Sequence, residues 1–229
     1  GITQTIVVFG STRIPEPAAA RRELEARRAA CAAHPGDEEC ARRVRIAGRI
    51  LEKSRYYDVA RQFGQLVARA DQGRDGSHLV ILTGGGPGIM EAANRGAFDV
   101  GAKSVGLNIK LPHEQFPNPY ITPDLCMRFH YFALRKLHFL LRARALVVFP
   151  GGYGTLDELF ETLTLVQTRK IKPVPVVLVG EEYWRQVFNP DFLVDEGVID
   201  PEDRELFWYA ETAEEIWQGI LHWYASTGL

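Results

Sequence analysis

VVFPGGYGTLDELFETLT, residues Val147 to Thr164, changes character twice. The apolar run Ala145 to Phe149 has the length of a buried strand. Pro150-Gly151-Gly152-Tyr153-Gly154 follows as a turn. Beyond it Leu156, Leu159, Phe160 and Leu163 recur at the spacing of one helix face. A strand, a glycine turn and a helix in that order leave backbone N–H groups pointing at an anion. Thr155 adds a hydroxyl donor there, and Glu158, one turn on, brings a carboxylate to the same spot. The same letters also spell a capping box, with Thr155 capping the helix and Glu158 reaching back to it. On this stretch alone both readings stand.

A second junction of the same kind lies upstream. Leu79 to Leu82 reads as a buried strand and runs into Thr83-Gly84-Gly85-Gly86-Pro87-Gly88-Ile89-Met90-Glu91. Gly84, Gly85, Gly86 and Gly88 permit close approach of the backbone to a ligand, and Pro87 suits the first turn of a helix. That helix runs through Ala97 and carries Glu91 and Asn94; Met90 is read as core. The dinucleotide fingerprint fits poorly, because no acid stands where the ribose of a dinucleotide would need one.

The remaining segments supply the frame. Thr5 to Phe9 is a short buried strand ending in Gly10-Ser11, a common opening of a nucleotide-binding sheet. Arg13 follows and could reach an anion at the sheet's carboxyl edge, although a solvated arginine is its default reading. Residues 16–54 are rich in Ala, Arg and Glu and break at His34-Pro35-Gly36-Asp37, which predicts a hairpin of two amphipathic helices. Its arginines alternate with acids, as on a solvated face. Tyr56 to Ala70 is a helix, Val105 to Ile109 a strand, and Leu111 to Pro123 a proline-rich loop holding Glu114. Leu125 to Phe129 is expected to be a strand. Tyr131 to Ala143 is expected to be a helix with Phe132, Leu137, Leu140 and Leu141 inward. Val174 to Val179 is a further strand. A helix near Glu182 to Val187, a short polar section and a closing helix from Thr212 to Tyr224 complete the chain.

Strands alternate with helices throughout, which argues for a parallel sheet with helices on both faces. The expectation is an α/β, Rossmann-like, doubly wound domain over residues 1–229 with a helical insertion at about 16–54. Both glycine turns then fall on the carboxyl edge of the strands, where such sheets bind ligands. That coincidence favours the phosphate reading, and the cap can coexist with it.

Composition narrows the function classes. The chain has 229 residues, 46% of them hydrophobic, with a net charge of −2. It has neither the basic balance of a nucleic-acid surface nor an apolar run of membrane-spanning length. The opening GITQTIVVFGS reads as strand, not as a signal peptide. Cys31, Cys40 and Cys126 lack zinc spacing and disulfide density, so reduced thiols in a cytoplasm are expected, although Cys31 and Cys40 could face each other across the hairpin. His130 and His138 have no partners at metal spacing and are read as structural.

PGGYGTLDE at Pro150 to Glu158, Arg135-Lys136 before it, GGGPGIMEAANRGA at Gly84 to Ala97 and GLNIKLPHEQ at Gly106 to Gln115 together resemble the Lonely Guy family of phosphoribohydrolases, in its longer bacterial branch. The resemblance covers nearly all of Tyr56 to Val179 and the first strand; the helical segment 16–54 departs from it. It implies a Rossmann-like sandwich, a homodimer or higher homo-oligomer, and a small-molecule nucleotide as partner. The implied reaction is hydrolysis of the N-glycosidic bond of AMP or its N6-prenylated forms, to free base and ribose 5-phosphate. It also implies that Arg135 and Glu158 are the catalytic pair. Gly151, Gly152, Tyr153, Gly154, Thr155, Leu156 and Asp157 are expected to hold substrate, with the phosphate on Gly152 to Thr155. Glu114, Lys136 and Thr164 match further substrate-contacting positions. No cofactor and no metal are implied; older lysine decarboxylase labels would make Lys136 a Schiff-base lysine, but no pattern here obliges a pyridoxal phosphate site. A non-catalytic nucleotide sensor with the same pocket is the alternative, and the helical hairpin leaves room for an assembly role.

Overall fold

The computed structural model describes residues 2–71, 79–110 and 116–228. Its centre is a seven-stranded sheet in which every neighbouring pair is parallel. The strands are β1 (Gln4–Phe9), β2 (Leu79–Thr83), β3 (Ser104–Ile109), β4 (Cys126–Phe129), β5 (Ala143–Val148), β6 (Val176–Val179) and β7 (Trp208–Ala210). Their spatial order is β4-β3-β2-β1-β5-β6-β7. The chain therefore builds outward from β1 in one direction, then returns to β1's other side with β5. At that reversal the crossovers diverge to opposite faces and leave a crevice beyond the strand ends. Register keeps the rim flush there: Phe9 pairs with Val148 and Val8 with Thr83.

Alternation along the strands explains the two cores. In β1, Ile6 and Val8 face one side and Val7 and Phe9 the other, as a period of two requires. The first side is covered by α3 (Arg55–Asp71), α4 (Ile89–Asp99) and α9 (Ala213–Thr227), through Tyr57, Phe63, Ile89, Ala93 and Ile216. The second is covered by α5 (Phe132–Leu140), α6 (Tyr153–Gln167) and α7 (Glu181–Val187), through Phe139, Leu159 and Trp184. Both faces of β5 and β6 are buried, which is why Ala145 to Phe149 and Val176 to Val179 read as unbroken apolar runs.

Between β1 and α3 the hairpin consists of α1 (Pro17–Ala32) and α2 (Glu38–Lys53). Asp37 caps α2 by accepting from the N–H groups of Glu39 and Cys40. Arg42 and Arg43 both pair with Glu39 at the surface, at 2.7 and 3.0 Å, in keeping with a solvated face. Among the described residues no helix is long and apolar enough to cross a membrane.

Three expectations need correction. The section between α7 and α9 is not merely polar: it holds α8 (Pro190–Asp195), a 3₁₀ turn (Pro201–Leu206) and the edge strand β7. A three-residue strand is too short to show periodicity. Helix α5 ends at Leu140, and of its apolar residues Phe139 is the fully buried one; Phe132, Leu137 and Leu141 are exposed. Apolar residues recur on several sides of this helix between Arg135, Lys136 and His138, so its sequence does not say which side the sheet takes. The third concerns the cap of α6, described next.

Candidate active site

Helix α6 starts earlier than its capping signature suggests. Gly152 is the N-cap, in extended backbone and with no side-chain cap, so Thr155 already lies inside the first turn. The Thr155 and Leu156 N–H groups both donate to the Gly152 carbonyl, at 2.9 and 3.0 Å. The Thr155–Glu158 capping box is therefore not formed. Among the described residues, no acceptor takes the N–H groups of Gly152, Tyr153 or Gly154. The turn is held from beneath: Tyr183 on α7 donates its hydroxyl to the Gly151 carbonyl at 2.6 Å. A side chain at Gly151 would overlap that of Thr155.

These groups line a cavity of about 640 Å³ at the carboxyl ends of β1, β2, β3 and β5. Phe9 to Arg13 form one wall, Gly84, Gly86 and Met90 a second, Asn108 and Ile109 a third. Gly152 to Thr155, Glu158, Arg135 and Phe132 complete it. Glu158 is 4% exposed. Its Oε1 lies 3.5 Å from Arg135 Nη2, beyond good hydrogen-bond geometry, and is buried without a hydrogen-bond partner. Arg135 comes from α5 and crosses above the Gly84 backbone. Its guanidinium lies 5.2 Å from the Phe132 ring centre and 5.3 Å from that of Phe139, and its Nε has no partner.

Burial dominates the electrostatics of this pair. It pushes the Glu158 carboxyl up to about 7, against the pull of Arg135 and Lys136 in the other direction. It also lowers Arg135, with the Glu158 carboxylate opposing. A carboxyl that titrates near neutrality, unpaired and open to a cavity, is suited to accept a proton or stabilise a cation.

The second glycine turn shares the rim but is built differently. Thr83 Oγ1 accepts from the Gly85 N–H at 2.9 Å and donates to Asn94 Oδ1 at 2.7 Å. Asn118 Nδ2 donates to the Gly86 carbonyl and to Asn94, and the Asn118 N–H to the Gly85 carbonyl. Gly85 and Gly88 have φ of +74° and +71°, accessible to glycine at little cost. Gly88 packs against the Ser11 carbonyl and Gly85 against Asn108. Gly84 and Gly86 line the cavity, whereas Gly85 and Gly88 serve the turn. Glu91 accepts the Tyr57 hydroxyl at 2.8 Å, away from the cavity.

The other expected positions divide. Lys136 Nζ bonds Asp157 at 2.8 Å and Glu161 at 3.1 Å and does not line the cavity. Burial works against its charge, but those two hydrogen bonds outweigh it and raise its pKa. Leu156 packs into the second core. Thr164 donates back to the Phe160 carbonyl and borders a separate cavity with Phe188 and Leu193. Glu114 lies outside the described residues. Met90, read as core, lines the cavity instead. Ser11, Asn108 and Phe132 were not singled out as site residues, although the first two stand at the carboxyl ends of strands beside the sheet's reversal, which is the signal that finds them. Cys31, Cys40 and Cys126 are free thiols. Among the described residues no cluster of three His, Cys, Asp or Glu is placed to hold a metal.

A parallel sheet in this order, with a cavity at its switch point and an open helix N-terminus, defines a Rossmann-like α/β protein. Residues 90–220 match a family model described as "Possible lysine decarboxylase". The cytokinin riboside 5'-monophosphate phosphoribohydrolase LOG3 of Arabidopsis thaliana is 31% identical over 170 residues, covering 72% of this chain and 74% of that protein. A probable enzyme of the same name from Oryza sativa, LOGL3, is 30% identical over 173 residues, covering 72% and 75%. The chain belongs to this family, the Lonely Guy family. Among solved structures, the Moco carrier protein of Chlamydomonas reinhardtii shares 18% identity at a TM-score of 0.54, covering 98% of this chain and 99% of that one. A molybdenum cofactor binding protein from Rippkaea orientalis shares 22% at 0.52, covering 73% and 86%. At those identities the likeness is one of fold.

Proposed function

We propose that this protein is a phosphoribohydrolase that cleaves the N-glycosidic bond of a nucleoside 5'-monophosphate, AMP or an N6-prenylated AMP, releasing the base and ribose 5-phosphate. The observation that carries the reading is the buried Glu158 carboxyl, unpaired at Oε1, in one cavity with the free N–H groups of Gly152 to Gly154. The names of the relatives in Arabidopsis thaliana and Oryza sativa support it.

The chemistry follows from those positions. The phosphate docks on the N-terminus of α6, so remote binding energy fixes the sugar. Breaking C1′–N9 builds positive charge on the ribose, as in other glycosyl transfers. The Glu158 carboxylate stabilises that charge and takes one proton from the attacking water, whose oxygen bonds C1′. The electron pair of C1′–N9 leaves with the base. Arg135 offsets the charge on the departing base until it takes up a proton, and returning Glu158's proton to solvent resets the site. Phe132, Met90 and Ile109 offer the base an apolar wall. The same reading includes a homo-oligomer in which a second copy covers the exposed Leu134, Leu137 and Leu141 beside the site.

The test is product analysis over a panel of nucleoside monophosphates and the matching nucleosides. Free base should appear from a monophosphate and not from its nucleoside. Glu158→Gln should still bind AMP and lose most turnover. Binding without any release of base would instead identify a nucleotide sensor, and full activity in Glu158→Gln would remove that residue from the reaction.

A further inference from the structure

Arg13 is a charged side chain of the cavity wall for which no acceptor is found among the described residues, and it is exposed. Its backbone is anything but loose. The Arg13 N–H donates to Ser11 Oγ at 3.0 Å. Ser11 in turn donates its N–H to the Pro150 carbonyl at 3.0 Å and accepts from the Ile89 N–H at 3.2 Å. The root of Arg13 is thus pinned both to the turn that opens α6 and to the start of α4. Gly10 makes this possible, since a side chain there would overlap Ile89.

Charge balance says what such a cation is for. Among the described residues the charged groups of the wall are Arg13, Arg135 and Glu158. Arg135 faces the Glu158 carboxyl at 3.5 Å, whereas Arg13 faces no carboxylate among the described residues. A phosphomonoester brings close to two negative charges at neutral pH. A helix N-terminus supplies the equivalent of about half a positive charge, so the open N–H groups of Gly152 to Gly154 cannot balance it alone. Glu158 Oε1, buried and unpaired in the same cavity, is an independent sign that a ligand completes the site.

We propose that Arg13, rooted beside the α6 turn, grips the substrate's 5'-phosphate together with that turn and makes the site selective for phosphorylated over unphosphorylated nucleosides. This rests on the phosphoribohydrolase reading. The guanidinium presents two parallel N–H donors to phosphate oxygens, a geometry lysine does not reproduce. Arg13 is a binding residue: it touches the phosphate and stays clear of C1′.

Arg13 also borders a groove of about 440 Å³ between α1 and α2, whose far side carries Arg43 and Ile46. Arg43 lies outside the site cavity and pairs with Glu39 at 3.0 Å, so it separates a role in the groove from a role in the site. The experiment compares the wild type with Arg13→Ala, Arg13→Lys and Arg43→Ala, using AMP and adenosine. Because Arg13 is exposed, its substitutions leave the fold intact, which circular dichroism checks. Arg13→Ala should raise KM for AMP about 10- to 100-fold, the loss of one charge-assisted pair, with kcat within about threefold. Arg13→Lys should recover part of that loss. Arg43→Ala should match the wild type, and adenosine should bind the wild type and Arg13→Ala alike.

A KM for AMP unchanged in Arg13→Ala overturns the proposal. So does an equal loss of adenosine binding, a loss confined to kcat, or the same defect in Arg43→Ala. Calorimetric titration keeps the two readings apart. If the wild type releases no base from any monophosphate, the catalytic reading fails, yet weaker AMP binding by Arg13→Ala with adenosine unaffected still supports the phosphate clamp. Unweakened AMP binding by Arg13→Ala refutes it.

Discussion

Glu158→Gln should stabilise the protein, and by an amount that grows with pH. The folded state holds the Glu158 carboxyl at about 7, against an ordinary 4.5, because burial penalises its charge. Between those values the folded protein binds a proton that the unfolded chain has lost, so stability falls as pH rises. The stabilisation is complete below 4.5 and is lost as pH passes through about 7. At about 1.4 kcal/mol per pH unit, the ionised carboxylate costs the fold about 3 kcal/mol by pH 8. Glutamine keeps the shape and never ionises. At low pH the wild type carries a neutral carboxyl beside Arg135, much as the variant carries a neutral amide, so the two should nearly coincide there. Urea denaturation of both proteins at pH 4.5, 6 and 8, with matched m-values, measures this. The variant should gain on the wild type by about 3 kcal/mol across that range. A difference that stays constant with pH would refute the argument that burial raises the Glu158 carboxyl.

The same titration shows in catalysis: kcat/KM should rise with pH through an acid limb near 7, and Arg135→Met, by removing a cation that pulls Glu158 down, should move that limb to higher pH. An unmoved limb in a variant that still turns over would assign it to another group. Gly151→Ala pushes a methyl into the Thr155 side chain and should cost about 1–3 kcal/mol of stability together with most AMP affinity; calorimetry and thermal melting check both. On the homo-oligomer proposed above, Leu137→Glu on the exposed face of α5 should lower the mass seen by light scattering to that of one chain; a wild type already of that mass, or a variant that keeps an oligomer's mass, would refute that interface.

Much of this could be read from the letters because the physics was local. Unbroken apolar runs such as Ala145 to Phe149 mark strands buried on both faces, and glycine turns after Thr83 and Phe149 mark the rim they reach. What stayed hidden depended on partners distant in sequence. Helix α5 spreads its apolar residues over several sides, and only the sheet decides that Phe139 goes in while Leu134 and Leu137 stay out. The start of α6 was misplaced because Thr155-x-x-Glu158 satisfies a capping rule that Gly152 pre-empts. Lys136 looked like a ligand-binding neighbour of Arg135, yet consecutive helical residues point about 100° apart. That rotation sends Lys136 to Asp157 and Glu161, and Arg135 to the cavity.

Two glycine turns at one rim look interchangeable in sequence, and the partners of their backbone groups show how each is held. In the turn after Thr83, the Gly85 N–H is taken by Thr83, and the Gly85 and Gly86 carbonyls are taken by Asn118, through a buried network that also includes Asn94. That network fixes the shape of the turn, while the N–H groups of Gly84 and Gly86, on the cavity wall, have no acceptor among the described residues. In the turn after Phe149 the carbonyls of Pro150, Gly151 and Gly152 are bound, to Ser11, Tyr183 and the start of α6. The N–H groups of Gly152, Tyr153 and Gly154 have no acceptor among the described residues. Donors without protein acceptors at a ligand-sized opening are an unmet demand for an anion. On the proposed reading the phosphate docks at the α6 turn, because its N–H groups open a helix of four turns and carry that helix's dipole, and Glu158, a single helical turn beyond it, then faces the bond that the docked phosphate holds in place.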